Sequence, residues 1–278
     1  MIIRADSGST KTHWILIQER GKSKSFYSQG INPYFLNIDE MTRIVKECFS
    51  NLSTKEVKEV FFYGAGCSLQ EKCSQVQVSL TKVFSKAKIE TNSDLLAAAH
   101  ALFGHQAGVA CILGTGSNAA VYNGVSFTNK IQSLGYLLGD EGSGSYIGRQ
   151  LVQSYFRKDM PQNLRSEFAK DYSVDSKEVL DSIYKQAFPN RYLASFAPFA
   201  SKHTEDKFII SIVRLSFHDF VKYQLDTLGF NKELPIGFVG SIAFYFQDIL
   251  KEELELKGYI LGRVLKNPID NLEAFYKG

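Results

Sequence analysis

The stretch Asp6-Ser7-Gly8-Ser9-Thr10-Lys11-Thr12 lies between two apolar runs, residues 1–3 and 14–17. Two short apolar runs joined by small polar residues predict a β-hairpin. The tip of this hairpin combines a glycine, several hydroxyl donors and a positive charge, at Gly8, Ser9, Thr10, Lys11 and Thr12. Glycine lets the backbone approach a ligand closely, and hydroxyl and ammonium groups bind anions. The tip therefore suits a bound phosphate, with an ordinary polar hairpin as the alternative.

Asp6 comes at the end of the first predicted strand, where its carboxylate is placed to hold a hydrated Mg²⁺. The stretch is not a Walker A loop, because Thr10 occupies the position where GxxxxGK[ST] requires its second glycine. Any phosphate site here is therefore built on a hairpin tip.

The composition indicates a globular protein of one large or two medium domains. Of the 278 residues, 44% are hydrophobic and 22% are charged, and the net charge is +3. No run of Lys and Arg interleaves with aromatic residues, so neither nucleic acid nor a membrane is indicated as a partner. No apolar run approaches the length of a signal peptide or a membrane span. The four cysteines fit neither a disulfide framework nor a CxxC pair, so we expect reduced thiols in a cytoplasmic protein.

The first part of the chain predicts the element order βββαβαβα. Three strands, with a turn over residues 19–22, are followed by a helix for which Asp39 is the predicted cap. A strand, a helix and a fifth strand come next, and the alanine-rich helix 95–103 ends this part.

The second part of the chain repeats this order. Three strands over residues 109–131 form a first hairpin whose tip is Gly114-Thr115-Gly116-Ser117-Asn118. The polar segment 159–205 predicts an inserted helical lobe, and a long helix over 206–228 is predicted to bury Leu215. Two more strands and a terminal helix from residue 267 complete the repeat. Two polar hairpin tips in corresponding positions could grip a polyphosphate from both sides.

Four motifs carry a resemblance to a known superfamily. Residues 5–14 (ADSGSTKTHW) and 112–124 (ILGTGSNAAVYNG) resemble its two phosphate motifs, and residues 237–243 (GFVGSIA) resemble its adenosine motif. Residues 139–148 (GDEGSGSYIG) are similar to a signature of N-acetylglucosamine kinases and of the BadF/BadG/BcrA/BcrD ATPase family that contains them. The superfamily is that of actin, the Hsp70 ATPase domain and the sugar kinases. The resemblance covers essentially the whole chain and implies two ribonuclease-H-like domains of the actin-like ATPase type that flank a central cleft.

The resemblance also implies the domain limits. We expect an N-terminal domain over residues 1–105, joined by the C-terminal helix 267–278. The C-terminal domain is expected over residues 106–266 and contains the helical insertion.

ATP and Mg²⁺ are the cofactors that the resemblance implies. The residues expected to bind them are Asp6, for the metal, and Gly8, Ser9, Thr10, Lys11, Thr12, Gly114, Thr115, Gly116, Gly240 and Ser241, for the nucleotide. At Gly240 the alternative is close packing of a helix on a strand.

The residues expected to contact a sugar are Asn32, Cys67, Asp94, Thr115, Gly116, Asn118 and Asp140. Cys67 departs from the family pattern, because a thiol is a weak hydrogen-bond partner. For Asp140 the alternative is an acid favoured at a helix N-terminus.

Asp94 is the expected catalytic base. Phosphoryl transfer to a sugar hydroxyl needs a base for the hydroxyl proton, and the family's catalytic aspartate follows the fifth strand, as Asp94 does. The alternative is a helix N-cap, which Asn92, Ser93 or Asp94 could each provide.

The resemblance implies an ATP-dependent amino-sugar kinase, with N-acetylglucosamine phosphorylated at its 6-hydroxyl as the first choice. One alternative is an ATPase activator of a 2-hydroxyacyl-CoA dehydratase or benzoyl-CoA reductase, whose iron–sulfur cluster is held by cysteines of two subunits. Cys111 lies in an apolar strand instead of a glycine-flanked loop, which speaks against an activator. Another alternative is a non-catalytic sugar sensor. The expected partners are an amino sugar and ATP, and a homodimer is left open.

Overall fold

The computed structural model describes residues 1–18 and 22–277, so the turn predicted over 19–22 lies largely outside the described residues. The chain divides into two compact units. The first unit is Met1–Ala101 together with the segment from Pro268 onward, and the second unit is Leu102–Asn267.

The first unit is built on a five-stranded sheet. Its strands are β1 (Ile2–Ser7), β2 (Lys11–Ile17), β3 (Ser23–Gln29), β4 (Glu59–Gly64) and β5 (Lys88–Ser93). They lie in the order β3-β2-β1-β4-β5, with the first three antiparallel and β1, β4 and β5 parallel. Alternate residues of β1, namely Ile3, Ala5 and Ser7, are buried, as a period of two requires.

Three helices connect or follow these strands: α1 (Ile38–Cys48), α2 (Gln70–Thr81) and α3 (Asp94–Phe103), with a short 3₁₀ turn at Thr54–Glu56. The last two residues of α3 already belong to the second unit. The predicted cap of α1 was wrong. Asn37 caps this helix, because its side-chain oxygen accepts from the backbone N–H of Asp39 at 3.0 Å and of Glu40 at 2.9 Å. The Glu40 carboxylate in turn accepts from the Asn37 N–H at 2.8 Å, which completes a capping box. The Asp39 carboxylate instead pairs with Lys82 at 2.8 Å.

The second unit has a sheet of the same strand order. Its strands are β6 (Gly108–Leu113), β7 (Ser117–Tyr122), β8 (Phe127–Lys130), β9 (Ile236–Val239) and β10 (Leu261–Leu265), in the order β10-β9-β6-β7-β8. When the strands are numbered one to five within each unit, both sheets have the order 3-2-1-4-5. In both units the first three strands pair antiparallel with one another, and the first, fourth and fifth strands are parallel.

The helices of the second unit lie mainly between β8 and β9. They are α4 (Gly135–Leu138), α5 (Gly144–Arg157), α6 (Gln162–Tyr172), α7 (Ser176–Tyr184), α8 (Pro189–Ala194), α9 (Ala197–Lys202), α10 (Lys207–Phe220) and α11 (Asp226–Leu228), and after β9 come α12 (Ser241–Tyr245) and α13 (Gln247–Glu255). Between α10 and α11 the backbone is π-helical over Val221–Leu225. The predicted burial of Leu215 was wrong, since its side chain is 47% exposed. Leu215 lies outside the buried stripe of α10 that Ile209, Ile212 and Val213 form.

The last helix, α14 (Ile269–Lys277), packs on the first unit. The guanidinium of Arg4 lies 4.1 Å from the centre of the Tyr276 ring, and the hydroxyls of Tyr63 and Tyr276 are hydrogen-bonded. The rings of His100 and Phe275 stack with centres 3.8 Å apart. The chain therefore begins and ends in the same unit.

No helix among the described residues combines the length and the apolar character needed to span a membrane.

Candidate functional site

Three parallel strands of the first unit end at one register, and the predicted site residues of this unit follow those ends. Ser7 of β1 pairs with Gly64 of β4, and Gly64 pairs with Ser93 of β5. The hairpin tip (residues 8–10), the loop 65–68 and Asp94 therefore lie at the same edge of the sheet. The carboxyl edge of a parallel sheet is where ligands bind in open α/β folds.

A buried hydroxyl pair supports the first hairpin tip. The Oγ atoms of Ser7 and Thr12 are 2.7 Å apart, and Ser7 also bonds both the N–H of Ile31 at 2.9 Å and its carbonyl at 3.2 Å. Thr12 donates to the Gln29 carbonyl at 3.2 Å. The Thr12 hydroxyl thus stabilises the hairpin from beneath, whereas Thr10 and Lys11 at the tip are exposed.

Two glycines of the first unit have different steric roles. A Cβ built on Gly8 meets nothing nearer than the Lys11 carbonyl oxygen at 3.8 Å, so there is open space beside Gly8. A Cβ built on Gly30 would lie 2.4 Å from the Gly8 carbonyl oxygen, so only glycine fits beneath the tip. Sequence reasoning missed the role of Gly30, for which the only local signal is a glycine directly after β3.

The two loops that were predicted to contact sugar are neighbours. A Cβ built on Gly66, whose φ is +82°, would lie 2.4 Å from Oδ1 of Asn32, and this oxygen accepts from the Tyr34 N–H at 3.0 Å. Cys67 is buried, and its carbonyl accepts from the Cys73 thiol at 3.2 Å. A hydrogen bond with Cys73 and burial raise the pKa of the Cys67 thiol, so that thiol stays neutral. Asn32 is buried as well, but its amide is a stronger hydrogen-bond partner for a ligand than the neutral thiol of Cys67.

Asp94 is the first residue of α3, but Ser93 caps the helix. The Ser93 Oγ accepts from the Leu96 N–H at 3.3 Å, and Oδ1 of Asp94 accepts from the Leu95 N–H at 2.9 Å. Burial raises the pKa of Asp94 to about 6. A partly buried carboxylate with a pKa near neutrality has the properties of a general base.

In the second unit, three of the four motif segments come together around the turn Gly114–Asn118, which we call the GTGSN turn. The N–H groups of Gly144 and Ser145, at the start of α5, donate to the carbonyls of Gly114 at 2.7 Å and Thr115 at 3.1 Å. The Ser117 N–H donates to Oδ1 of Asp140 at 3.2 Å. The turn is therefore tied to the segment that follows α4.

Asp140 has the unusual backbone angle φ +58° and is almost fully buried. A Cβ built on Gly116 would lie 3.0 Å from one of its carboxylate oxygens, so a side chain at position 116 would press on this carboxylate. Burial raises the pKa of Asp140 to about 6. Asp140 does not cap α5, since the Ser143 Oγ accepts from the Tyr146 N–H at 3.2 Å.

Gly240 packs against the end of β6. Its φ is +124°, and a Cβ there would lie 2.3 Å from the Leu113 carbonyl oxygen. This is the close packing considered as the alternative at Gly240. In contrast, a Cβ built on Gly114 meets nothing within 4 Å, so the space beside the GTGSN turn is open. The Oδ1 of Asn118 accepts from the Ala119 N–H at 2.9 Å.

The described residues contain no group of three or more His, Cys, Asp or Glu side chains that could hold a metal ion. Asp6 is partly buried on β1. A single carboxylate fits Mg²⁺ that keeps its waters and is shared with substrate phosphates. Cys111 is fully buried within β6 and faces the core.

Comparison with known proteins finds one matching family model and several similar structures. Residues 5–253 match the model of the BadF/BadG/BcrA/BcrD ATPase family. The structure of a candidate N-acetylglucosamine kinase from Porphyromonas gingivalis is similar over 99% of this chain and 98% of that chain, with 36% identity and a TM-score of 0.91. No curated protein sequence matches.

Two more distant structures share the fold. A candidate N-acetylglucosamine kinase from Chromobacterium violaceum has 16% identity and a TM-score of 0.75, over 99% of this chain and 98% of that chain. A ROK family glucokinase from Streptomyces griseus, in complex with glucose and AMPPNP, has 13% identity and a TM-score of 0.59 over the same shares. With the repeated strand order, these matches confirm the predicted actin-like ATPase fold class.

Proposed function

Because the chain belongs to the BadF/BadG/BcrA/BcrD ATPase family, we propose that it is an ATP-dependent kinase that phosphorylates N-acetylglucosamine at the 6-hydroxyl. The single observation that carries this proposal is the environment of Asp94. Ser93 takes over the capping of α3, and burial raises the pKa of Asp94 to about 6. A carboxylate that is not needed as a cap and is tuned toward neutrality is suited to remove a proton from a hydroxyl.

Asp94 acts in this proposal as the general base. Its Oδ1 already accepts from the Leu95 N–H, so Oδ2 receives the proton of the sugar hydroxyl. The sugar oxygen then forms a bond to the γ-phosphorus, and the bond from that phosphorus to the bridging oxygen of ADP breaks. At neutral pH a group with a pKa of about 6 is mostly deprotonated yet still basic enough to accept this proton.

The open space beside Gly8 and Gly114 fits phosphate groups. Neither glycine has protein atoms nearer than 3.8 Å to a built Cβ, and both lie on hairpin tips. Lys11 adds a positive charge at the first tip, where Ser9 and Thr10 offer hydroxyl donors. ATP supplies the phosphoryl group, and Asp6 would hold the Mg²⁺ that offsets its charge. Gly240 and Ser241 remain our candidates on the adenosine side.

The sugar-binding residues of the proposal are Asn32 and Asp140, with Thr115, Gly116 and Asn118 of the GTGSN turn. Asn32 uses Oδ1 within its own loop, so its Nδ2 group is the donor that we assign to a sugar hydroxyl. Asp140 offers its second carboxylate oxygen as an acceptor. Cys67 contributes through its loop backbone, since its thiol is buried. We place the reaction in the cytoplasm, where ATP is available and thiols stay reduced.

The proposal is tested by measuring ADP release from ATP with a panel of sugars and amino sugars. We expect the highest kcat/KM for N-acetylglucosamine, no stimulation by 6-deoxy-N-acetylglucosamine, and loss of the stimulated rate in Asp94→Asn. Phosphorus NMR of the product would locate the phosphate at position 6. ATP hydrolysis that no sugar stimulates, in a protein that absorbs near 400 nm, would contradict the proposal and favour an activator with an iron–sulfur cluster.

A further inference from the structure

A buried glutamine, Gln224, is hydrogen-bonded to side chains of two different motifs in the second unit. Gln224 is 5% exposed and lies in the π-helical segment Val221–Leu225. Its Nε2 group donates to the Ser117 Oγ at 2.8 Å and to Oε2 of Glu141 at 3.1 Å. Short π-helical segments within α-helices occur frequently at functional sites.

These bonds close a ring. Gln224 bonds the side chain of Ser117, the Ser117 N–H bonds the Asp140 carboxylate, and Asp140 is followed by Glu141, which bonds Gln224. Both donors of the glutamine amide are used within this ring. The ring therefore sets the position of the Asp140 carboxylate relative to the GTGSN turn.

The carbonyl oxygen of the Gln224 amide lowers the stability of the fold. Its Oε1 is buried and has no hydrogen-bond partner within the described part of the chain. An unsatisfied buried acceptor costs about 1–3 kcal/mol. An apolar side chain of the same length would avoid this cost but would also take a donor from Ser117 and Glu141. The glutamine is therefore explained better by the two bonds it makes than by a net gain in stability.

We propose that Gln224 is a positioning residue for the transfer reaction, which holds the GTGSN turn against Asp140 by bonding Ser117 and Glu141 at once. This inference rests on the proposed kinase function for its substrates. It adds a residue outside the four motifs, which acts through Ser117 and Glu141 without touching the reacting atoms.

The test uses two variants of Gln224 and one reversed pair. Gln224→Met keeps the length but removes both donors, and Gln224→Glu places a second carboxylate beside Glu141. The double variant Glu141→Gln with Gln224→Glu reverses the pair, because the new amide at position 141 donates to the new carboxylate and Ser117 donates its hydroxyl to the same group. The matched control is Ser216→Ala, which removes another buried and unpartnered oxygen from the same long helix.

In Gln224→Met we expect kcat/KM for sugar to fall about 10- to 100-fold, as for other small displacements of a site. The melting temperature should change little, because the loss of the two bonds to Ser117 and Glu141 is offset by removal of the unsatisfied acceptor. Gln224→Glu should lose at least as much activity, and the reversed pair should regain most of what Gln224→Glu loses. Ser216→Ala should keep both activity and melting temperature.

A titration with Mg²⁺-AMPPNP separates the outcomes. Loosening of the GTGSN turn should weaken the affinity for Mg²⁺-AMPPNP in Gln224→Met and Gln224→Glu. The reversed pair should restore this affinity, whether or not a sugar is phosphorylated. If the wild type phosphorylates no sugar, the proposed function fails while the titration still decides about Gln224. Wild-type kinetics and affinity in Gln224→Met, or a reversed pair no better than Gln224→Glu, would overturn the positioning role.

Discussion

In the first unit the tip of the β1–β2 hairpin lies over Gly30 and exposes Thr10 and Lys11, whereas in the second unit the tip of the β6–β7 hairpin is bonded to the start of α5 and to Asp140. Both tips close a hairpin in sheets of identical strand order. The difference comes from what packs on each tip. A repeated core can thus supply one open, cationic tip and one tip that is held by a hydrogen-bonded ring.

The two acids, Asp94 and Asp140, also differ in how firmly their surroundings hold them. Asp94 follows the fifth strand of its sheet and accepts a hydrogen bond from the N–H of the next residue, while Asp140 has a positive φ and is held by Ser117. Burial raises the pKa of each to about 6. Titration alone therefore does not separate a base from a binding group, and our proposal gives the role of the base to Asp94 because it follows the fifth strand.

The largest effect is expected for Asp94→Asn. Loss of a general base lowers kcat by about 10²- to 10⁴-fold, which is roughly 3 to 5.5 kcal/mol of barrier. Sugar affinity should change little, and stability at pH 7 should not fall. The reason is that the pKa of Asp94 is raised in the folded state, so its carboxylate costs stability as the pH rises from about 4 through 6.

The control for this prediction is Ser93→Ala, which removes the cap of α3 and should lower stability by about 1 kcal/mol while turnover stays. Turnover of Asp94→Asn within about threefold of the wild type would remove Asp94 from the mechanism, since effects of a general base are at least ~10²-fold.

Gly240→Ala tests the packing of the second unit. A Cβ would lie 2.3 Å from the Leu113 carbonyl oxygen at a φ of +124°. Clash and strain together should lower the free energy of unfolding by about 2–5 kcal/mol. In Gly258→Ala, which has a φ of +71° and open space, strain alone should cost about 1–2 kcal/mol. Equal urea midpoints for the two variants would mean that β6 and α12 adjust freely.

The pH dependence sharpens the comparison between the two acids. Below about pH 6 the base carries its proton, so kcat/KM should fall up to tenfold per pH unit. Asp140→Asn should retain this acidic limb, whereas the residual rate of Asp94→Asn should lack it. A limb that persists in Asp94→Asn and disappears in Asp140→Asn would assign the base to the second unit.

The smallest effects are expected for Gly8→Ala and Gly114→Ala. Both glycines have open space and neither needs a positive φ, so stability should stay or rise by about 0.4–1 kcal/mol. The added methyl group would enter the space that we assign to phosphate, so ATP affinity should weaken severalfold while sugar affinity is kept. Calorimetric titration of both variants with ATP decides, and unchanged ATP affinity in both would refute phosphate binding at the tips.

The fold was accessible from the sequence because its signals are local. Apolar runs of strand length, the polar hairpin tips and the repeated element order all lie within short windows, and each sheet follows from them. The errors at Asp39 and Leu215 arose at a helix start and on a helix face, where neighbouring residues compete. Asn37 outcompeted Asp39 because Glu40 completes a capping box with it.

The site was accessible only in part. The GTGSN turn stands out as part of a motif and Asp94 by its place after the fifth strand, but Gly30 and Gln224 do not stand out, because their partners are distant in sequence. Gln224 bonds Ser117 across 107 positions, and its π-helical backbone has no local sequence signature. A polar residue on the buried side of a long helix was the one available hint.

The packing of α14 on the first unit has a consequence for biosynthesis. Arg4, Tyr63 and His100 meet their aromatic partners Tyr276 and Phe275 only after all of Leu102–Asn267 has been translated. The second unit is continuous in the chain and can form its core while translation proceeds, although domains usually fold in the order of synthesis. On the ribosome the unit that is made first is therefore the one that is completed last.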